Sequence, residues 1–152
     1  VKLDEKKPTA EIAWRSKKDA SVYPANSTPI VDSNGILYGV DCQGGQLRGV
    51  EFETGKRLWE TFLPTTGNRR GAHGTAYIVR NGERYVLFSE TGDLIFAKLT
   101  EKRYDEVSRF HLLDPTGECF NRDVVWSHPA FANKCVFARN DKELVCASLA
   151  AE

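Results

Sequence analysis

Seven side chains in this sequence could meet a polar ligand. Arg69, Arg70 and His73 lie in the stretch LPTTGNRRGAH (63–73), Arg122, Asp123 and Trp126 in LDPTGECFNRDVVW (113–126), and His128 just beyond it. Guanidinium forks make paired hydrogen bonds to carboxylate or phosphate oxygens, so three arginines beside imidazoles suit an anionic or sugar-like ligand, or a peptide segment of a protein partner. Asp123 is the one carboxylate in the set and the only candidate base. Each residue also has a purely structural role open to it. Arg69 and Arg70 can be solvated, the two histidines can bond loop carbonyls, Asp123 can tie down its own loop, and Trp126 suits packing better than a binding platform. His111, two residues after Arg109, fits a surface position.

Signatures of catalysis are missing. The sequence has no G-x-S-x-G elbow, P-loop, H-E-x-x-H or dinucleotide fingerprint. Cys42, Cys119, Cys135 and Cys146 lack the C-x-x-C spacing of zinc or redox sites and the density of a disulfide scaffold. A hairpin turn at Asn140-Asp141 would set Cys135 directly opposite Cys146, as a cross-strand disulfide or, more simply, as two buried thiols filling a core gap. Cys42 and Cys119 are expected to be the more exposed pair.

Composition bounds the class. A chain of 152 residues with 41% apolar and 28% charged residues is ordinary for a folded domain. Twenty-one basic and 21 acidic side chains cancel, leaving no overall field that would gather nucleic acid. No apolar run approaches the roughly 18 to 20 residues that span a bilayer, and the charged start VKLDEKKPTAE does not read as a signal peptide. Methionine is absent even at position 1, which reads as a processed chain or a piece of a longer one.

The elements that must position the seven residues are strands. Short apolar or alternating runs such as ILYGVD, QLRGVEF, TAYIVR, RYVLFS, DLIFAKL and KCVFAR are rich in aromatic and β-branched residues, and no long stretch holds a 3.6-residue apolar period. Asn34-Gly35 and Asn81-Gly82 predict type I′ hairpin turns, and Gly44-Gly45, Thr91-Gly92 and Asn140-Asp141 mark others. The two Asn-Gly pairs are 47 residues apart, and sliding 28–52 onto 75–99 without a gap gives six identities in 25 positions, including Tyr38 on Tyr85. Roughly one or two would arise from composition alone. A third, shorter copy starts at Ser127-His128-Pro129 and stops at Leu149. A repeat of this length built from four short antiparallel strands predicts β-propeller blades over 27–62 and 74–112. A third blade, 127–149, would lack its fourth strand, and 11–16, where Glu-Ile-Ala-Trp-Arg echoes Lys-Arg-Leu-Trp-Glu at 56–60, would be an orphan fourth strand.

One motif carries a resemblance. GVEFETGKRLW, residues 49–59, is similar to the tryptophan-docking pattern A-x-D-x-x-T-G-x-x-x-W of quinoprotein-type propellers, the PQQ-like repeat family that includes PQQ dehydrogenases and the non-catalytic BamB-like outer-membrane-assembly lipoproteins. Thr54, Gly55 and Trp59 match, Gly49 replaces alanine, and Glu51 replaces aspartate. The second copy departs from the pattern, with TEKRY at 100–104 and no tryptophan after it. The resemblance implies that Trp59 glues one blade to the next and that 1–152 is one propeller segment of WD40/YVTN-like architecture. That segment is the terminal arc of a ring of about seven or eight blades, or one of several copies around an axis. It also implies a bacterial, extracytoplasmic or periplasmic address.

In such blades the connections between successive sheets share a rim with the turns between second and third strands, so the seven residues should gather near the channel mouth. The favoured expectation is a non-catalytic binding or scaffolding propeller, with no cofactor or metal of its own, no membrane span and no nucleic-acid partner. Its partners would be a protein or small polar ligand at the rim, and either the remaining blades of a parent chain or copies of itself. The alternatives are a fragment of a PQQ-dependent oxidoreductase, which would need calcium, PQQ and typically a vicinal disulfide that this sequence lacks, and a carbohydrate-active propeller with paired rim carboxylates.

Overall fold

A computed structural model describes residues 1–17, 19–20 and 22–150. Among these residues the chain is all-β and contains no helix. A small hairpin, β1 (Lys2–Leu3) and β2 (Ala10–Glu11), opens the chain. Sheet I joins β3 (Ile30–Val31), β4 (Ile36–Asp41), β5 (Gln46–Glu51) and β6 (Arg57–Thr61) in sequence order, every pair antiparallel. Sheet II repeats that order with β7 (Ala76–Asn81), β8 (Arg84–Ser89), β9 (Asp93–Leu99) and β10 (Tyr104–His111). After the hairpin of β11 (Gly117–Cys119) and β12 (Arg122–Val124), sheet III has three strands, β13 (Ala130–Ala132), β14 (Cys135–Arg139) and β15 (Leu144–Ser148).

Strands β8 and β9 of sheet II are apolar on both sides because both sides are covered. Tyr85, Leu87, Ile95 and Ala97 pack on Ile36, Tyr38, Val40 and Leu47 of sheet I. The alternate residues Tyr77, Val86, Phe88 and Leu94 pack with Val136 and Ala138 of sheet III. Strand periodicity of two assigns successive side chains to opposite faces, which is how one sheet serves two cores. Tyr38 and Tyr85 meet edge to face, with ring centroids 5.5 Å apart. The ungapped alignment that superposes these two tyrosines therefore fails to keep side-chain facing, because they approach one another from different sheets.

Trp59 lies in the first of these cores. Its ring stacks on Tyr38 at 5.9 Å, and its indole Nε1 donates to the Thr100 carbonyl in the β9–β10 turn at 2.8 Å. Gly49 makes room for it, since a Cβ there would come within 2.5 Å of the indole. Trp14 repeats the arrangement one step earlier. It lies over Gly55, with φ +73, and its Nε1 donates to the Phe52 carbonyl in the β5–β6 turn at 2.7 Å. Thus each indole caps the last hairpin turn of the sheet that follows it in the chain. Residues 11–16, expected as a strand, form none beyond Glu11, which pairs with Lys2. Docking of Trp14 does not require that ladder.

Three further expectations are corrected. The Asn-Gly pairs do not sit at the centre of type I′ turns: positive φ falls on Gly35 and Gly82 alone, in a three-residue loop and at the first position of a two-residue loop respectively. The turns with two left-handed residues are Phe120-Asn121 and Asn133-Lys134. Cys135 faces Ser148, and Cys146 faces Phe137. Asn140 Oδ1 accepts from the Lys142 and Glu143 amides at 2.8 Å each, and the Asn140 amide donates to the Glu143 carbonyl, which moves the turn centre by one residue and slides the pairing by two. The two cysteines are diagonal neighbours, half-buried and exposed, and all four cysteines are free thiols. Cys42 is buried, because its amide bonds the Tyr23 carbonyl and its carbonyl accepts from His73; burial pushes its thiol up.

Candidate functional site

The two long connections run along one rim and are bonded to the turns between second and third strands. Residues 62–75, between sheets I and II, reach the β4–β5 turn: the amides of Gly71 and His73 donate to the carbonyls of Gly44 (3.0 Å) and Cys42 (2.6 Å), and Thr65 Oγ1 to Gly45. Gly74 and Gly45 touch so closely that a Cβ on Gly74 would meet the Gly45 Cα at 2.6 Å. The connection from β10 to sheet III grips the β8–β9 turn at both ends. The Leu112 amide donates to the Gly92 carbonyl at 3.0 Å, and the Val125 amide to the Glu90 carbonyl at 2.7 Å.

Glu90 joins these connections. It is 2% exposed, and burying a carboxylate is costly unless its oxygens are matched. Here they are. Oε1 accepts from Arg122 Nε at 2.8 Å; Oε2 accepts from the Thr75 amide at 2.9 Å, Arg122 Nη2 at 3.2 Å and Trp126 Nε1 at 3.2 Å. Arg122 Nη2 also donates to the Ala72 carbonyl at 2.8 Å, so one guanidinium bridges both connections. Tyr77, buried nearby, is pushed up to about 12, by desolvation first and by the Glu90 charge second. Glu90 is thus a second carboxylate in these loops besides Asp123, with its oxygens already taken.

Beside this knot opens a cavity of about 470 Å3 whose lining includes Arg69, Arg70, Phe120, Asn121, Arg122 and Glu90. His73 stacks flat on Phe120, centroids 4.9 Å apart and planes 4° from parallel, with Trp126 at 6.3 Å from His73. Thus Arg69, Arg70, His73, Arg122 and Trp126 come together. Asp123 does not join them: it lies exposed on β12 opposite Glu118. His128 places its ring 4.8 Å from that of Tyr77, and its Nδ1 lies 2.7 Å from the Pro129 carbonyl. Sequence reasoning missed Glu90 and Phe120. Glu90 stands immediately before the Thr91-Gly92 turn signal, and nothing in its neighbours announces burial.

A second polar cluster occupies the outer strand of sheet II. His111 lies between Asp93 (Nδ1 to Oδ1, 2.8 Å) and Asp114 (Nε2 to Oδ1, 2.9 Å), and Arg109 binds Asp93 and Glu106. Hydrogen bonding to Asp114 and then to Asp93 raises the imidazole above its usual value. Desolvation pushes Asp93 up, but the bonds from His111, Arg109 and Thr91 outweigh it and hold the carboxyl below its ordinary range. His111 is exposed, as its sequence position suggests.

Among the described residues no three His, Cys, Asp or Glu side chains converge on a metal-sized site. The sequence has no adjacent cysteines. Among the described residues no helix is long and apolar enough to cross a membrane. A scan against protein-family models finds no match to this chain, and a search of curated proteins finds none either.

Proposed function

We propose that the chain is a segment of a non-catalytic binding scaffold of the propeller type, in which sheets I to III act as successive blades and the two long connections form a ligand-bearing rim. The observation that carries this reading is the Glu90 knot. A buried carboxylate with every oxygen occupied fixes two loops from different parts of the chain around one open cavity, and provides rigidity in place of a reactive group. Its oxygens are committed to four donors, so it is poorly placed to take a proton from a substrate. The repeated indole contacts support the blade reading, since Trp14 and Trp59 each cap the following sheet in the same way. Further blades of a parent chain, or further copies, would cover the outer faces of sheets I and III.

Amide shift mapping tests the proposal. Titration with a panel of small anions, sugars and short peptides is expected to move resonances of residues 62–75 and 112–128 and to leave every ligand chemically unchanged. Shifts confined to the outer strands β6 and β10, or turnover of a panel member, would overturn it. Addition of PQQ with calcium is expected to leave absorbance and melting temperature unaltered.

A further inference from the structure

We infer that the rim cavity binds a phosphomonoester carrying a flat apolar group, with Arg69 and Arg70 receiving the phosphate and Phe120 the flat group. The inference rests on the rim-binding reading above and names the ligand class. Charge bookkeeping gives the first argument. The Arg122 and Glu90 charges cancel inside the knot, whereas Arg69 and Arg70 are exposed, line the same cavity, and form no ion pair among the described residues. Arg122 spends Nε and Nη2 on Glu90 and Ala72, while its Nη1 makes no hydrogen bond there. The cavity thus carries two uncompensated positive charges plus a spare donor, which suits a dianion with several acceptor oxygens.

Backbone conformation supplies an independent argument. His73 (φ 56), Phe120 (φ 50) and Asn121 (φ 59) all adopt the left-handed region at this cavity. For a residue other than glycine or asparagine this costs about 1 kcal/mol or more. Asn121 fits such a turn, but phenylalanine at the preceding position does not, and its ring remains 58% exposed with one face on His73. The ring therefore adds little to the core while straining the turn. A strained aromatic whose free face borders a basic cavity is accounted for when that face meets a ligand. The contrasting Asn133-Lys134 turn has the same backbone without an aromatic, and there the Lys134 carbonyl accepts from the Leu149 amide in the strand pairing. The cavity, about 470 Å3, is of the size that holds small molecules.

The test uses phenyl phosphate as the probe, with inorganic phosphate and phenol as its two halves, followed by calorimetry or amide shifts on the full chain. Phenyl phosphate is expected to bind saturably, about tenfold or more tighter than either half, and to weaken as salt is raised. The double variant R69A/R70A, at exposed positions, is expected to keep its melting temperature and lose about tenfold or more in affinity. Phe120→Gly relieves the turn, so it is expected to melt no lower than the parent while binding phenyl phosphate no better than inorganic phosphate. Absence of saturable binding up to about 10 mM, roughly −3 kcal/mol, would overturn the inference. So would binding that survives R69A/R70A, or a preference for phenyl phosphate that survives F120G. If phenyl phosphate fails while other panel members still shift the rim loops, the phosphomonoester assignment falls and the rim-binding reading stands.

Discussion

The seam between sheets I and II and the rim above it solve opposite problems with the same chain. At the seam, Tyr38, Trp59 and Tyr85 interlock with aliphatic side chains, the indole nitrogen donates to a backbone carbonyl, and the Tyr38 hydroxyl donates to Asp32. At the rim a buried carboxylate pairs with a half-buried guanidinium, the backbone is left-handed at three non-glycine residues, and an aromatic ring lies open to solvent. Apolar packing gains stability in proportion to area and tolerates small shifts, whereas a matched ion pair gains little net energy but loses heavily when one partner goes. Stability therefore resides at the seam, and shape at the rim.

Substitutions can break that contrast in order of size. Trp59→Ala removes the half-buried ring between Tyr38 and the Thr100 turn and should cost about 3 kcal/mol, seen as a large fall in the denaturant midpoint with amide exchange accelerating in both sheets. Glu90→Gln should cost less, about 2–3 kcal/mol, since Arg122 keeps some access to water; exchange should accelerate selectively in 62–75 and 112–128 and spare the seam. If Glu90→Gln opened the seam as widely as Trp59→Ala, the division between the two regions would be wrong. Trp14→Ala, at a half-buried ring on the outer side of sheet I, should cost about 1–2 kcal/mol and leave sheet II unaffected.

The smallest effect is that of pH on the His111 cluster. Its imidazole is raised in the folded chain, so its contribution is fully present below the unfolded value of 6.5 and is lost as pH climbs through the folded one. Asp93 works in the opposite sense: its depressed carboxyl contributes above the unfolded value of 3.8 and loses that contribution under acid conditions. Melting temperature should fall slightly as pH rises above 6.5 in the parent, and that slope should vanish in His111→Asn while the seam variants retain it.

The seam was legible in the sequence, and so were the arginines, His73 and Trp126 of the rim; the carboxylate and the aromatic among them were not. The glycines at 35, 45, 55, 82 and 92 all take positive φ, as their turn-like neighbours suggest, and the Thr54-Gly55 to Trp59 spacing fixes which turn precedes which indole. These are local signals with one dominant cause. The Phe120 turn contradicts local preference and so left no signal to read. Glu90 is recognisable only from donors 15 to 36 residues distant, brought together by sheets already stacked. For Cys135 and Cys146, misplacing the turn centre by one residue moved the pairing by two, because each strand counts its residues from the turn.

The connection that carries Phe120 leaves sheet II at Leu112 and returns at Val125, and both ends are tied to carbonyls of the same short turn, at Gly92 and Glu90. A Cβ on Gly92 would lie 1.8 Å from the Leu113 oxygen, so the tie admits no other residue without rearrangement. An excursion whose feet share a single anchor can lengthen, shorten or change composition at slight entropic penalty. The β11–β12 hairpin is thus a natural cassette so long as Arg122 is kept for Glu90: grafting a different one between those feet would change the residues beside the cavity while the stacked sheets fold as before.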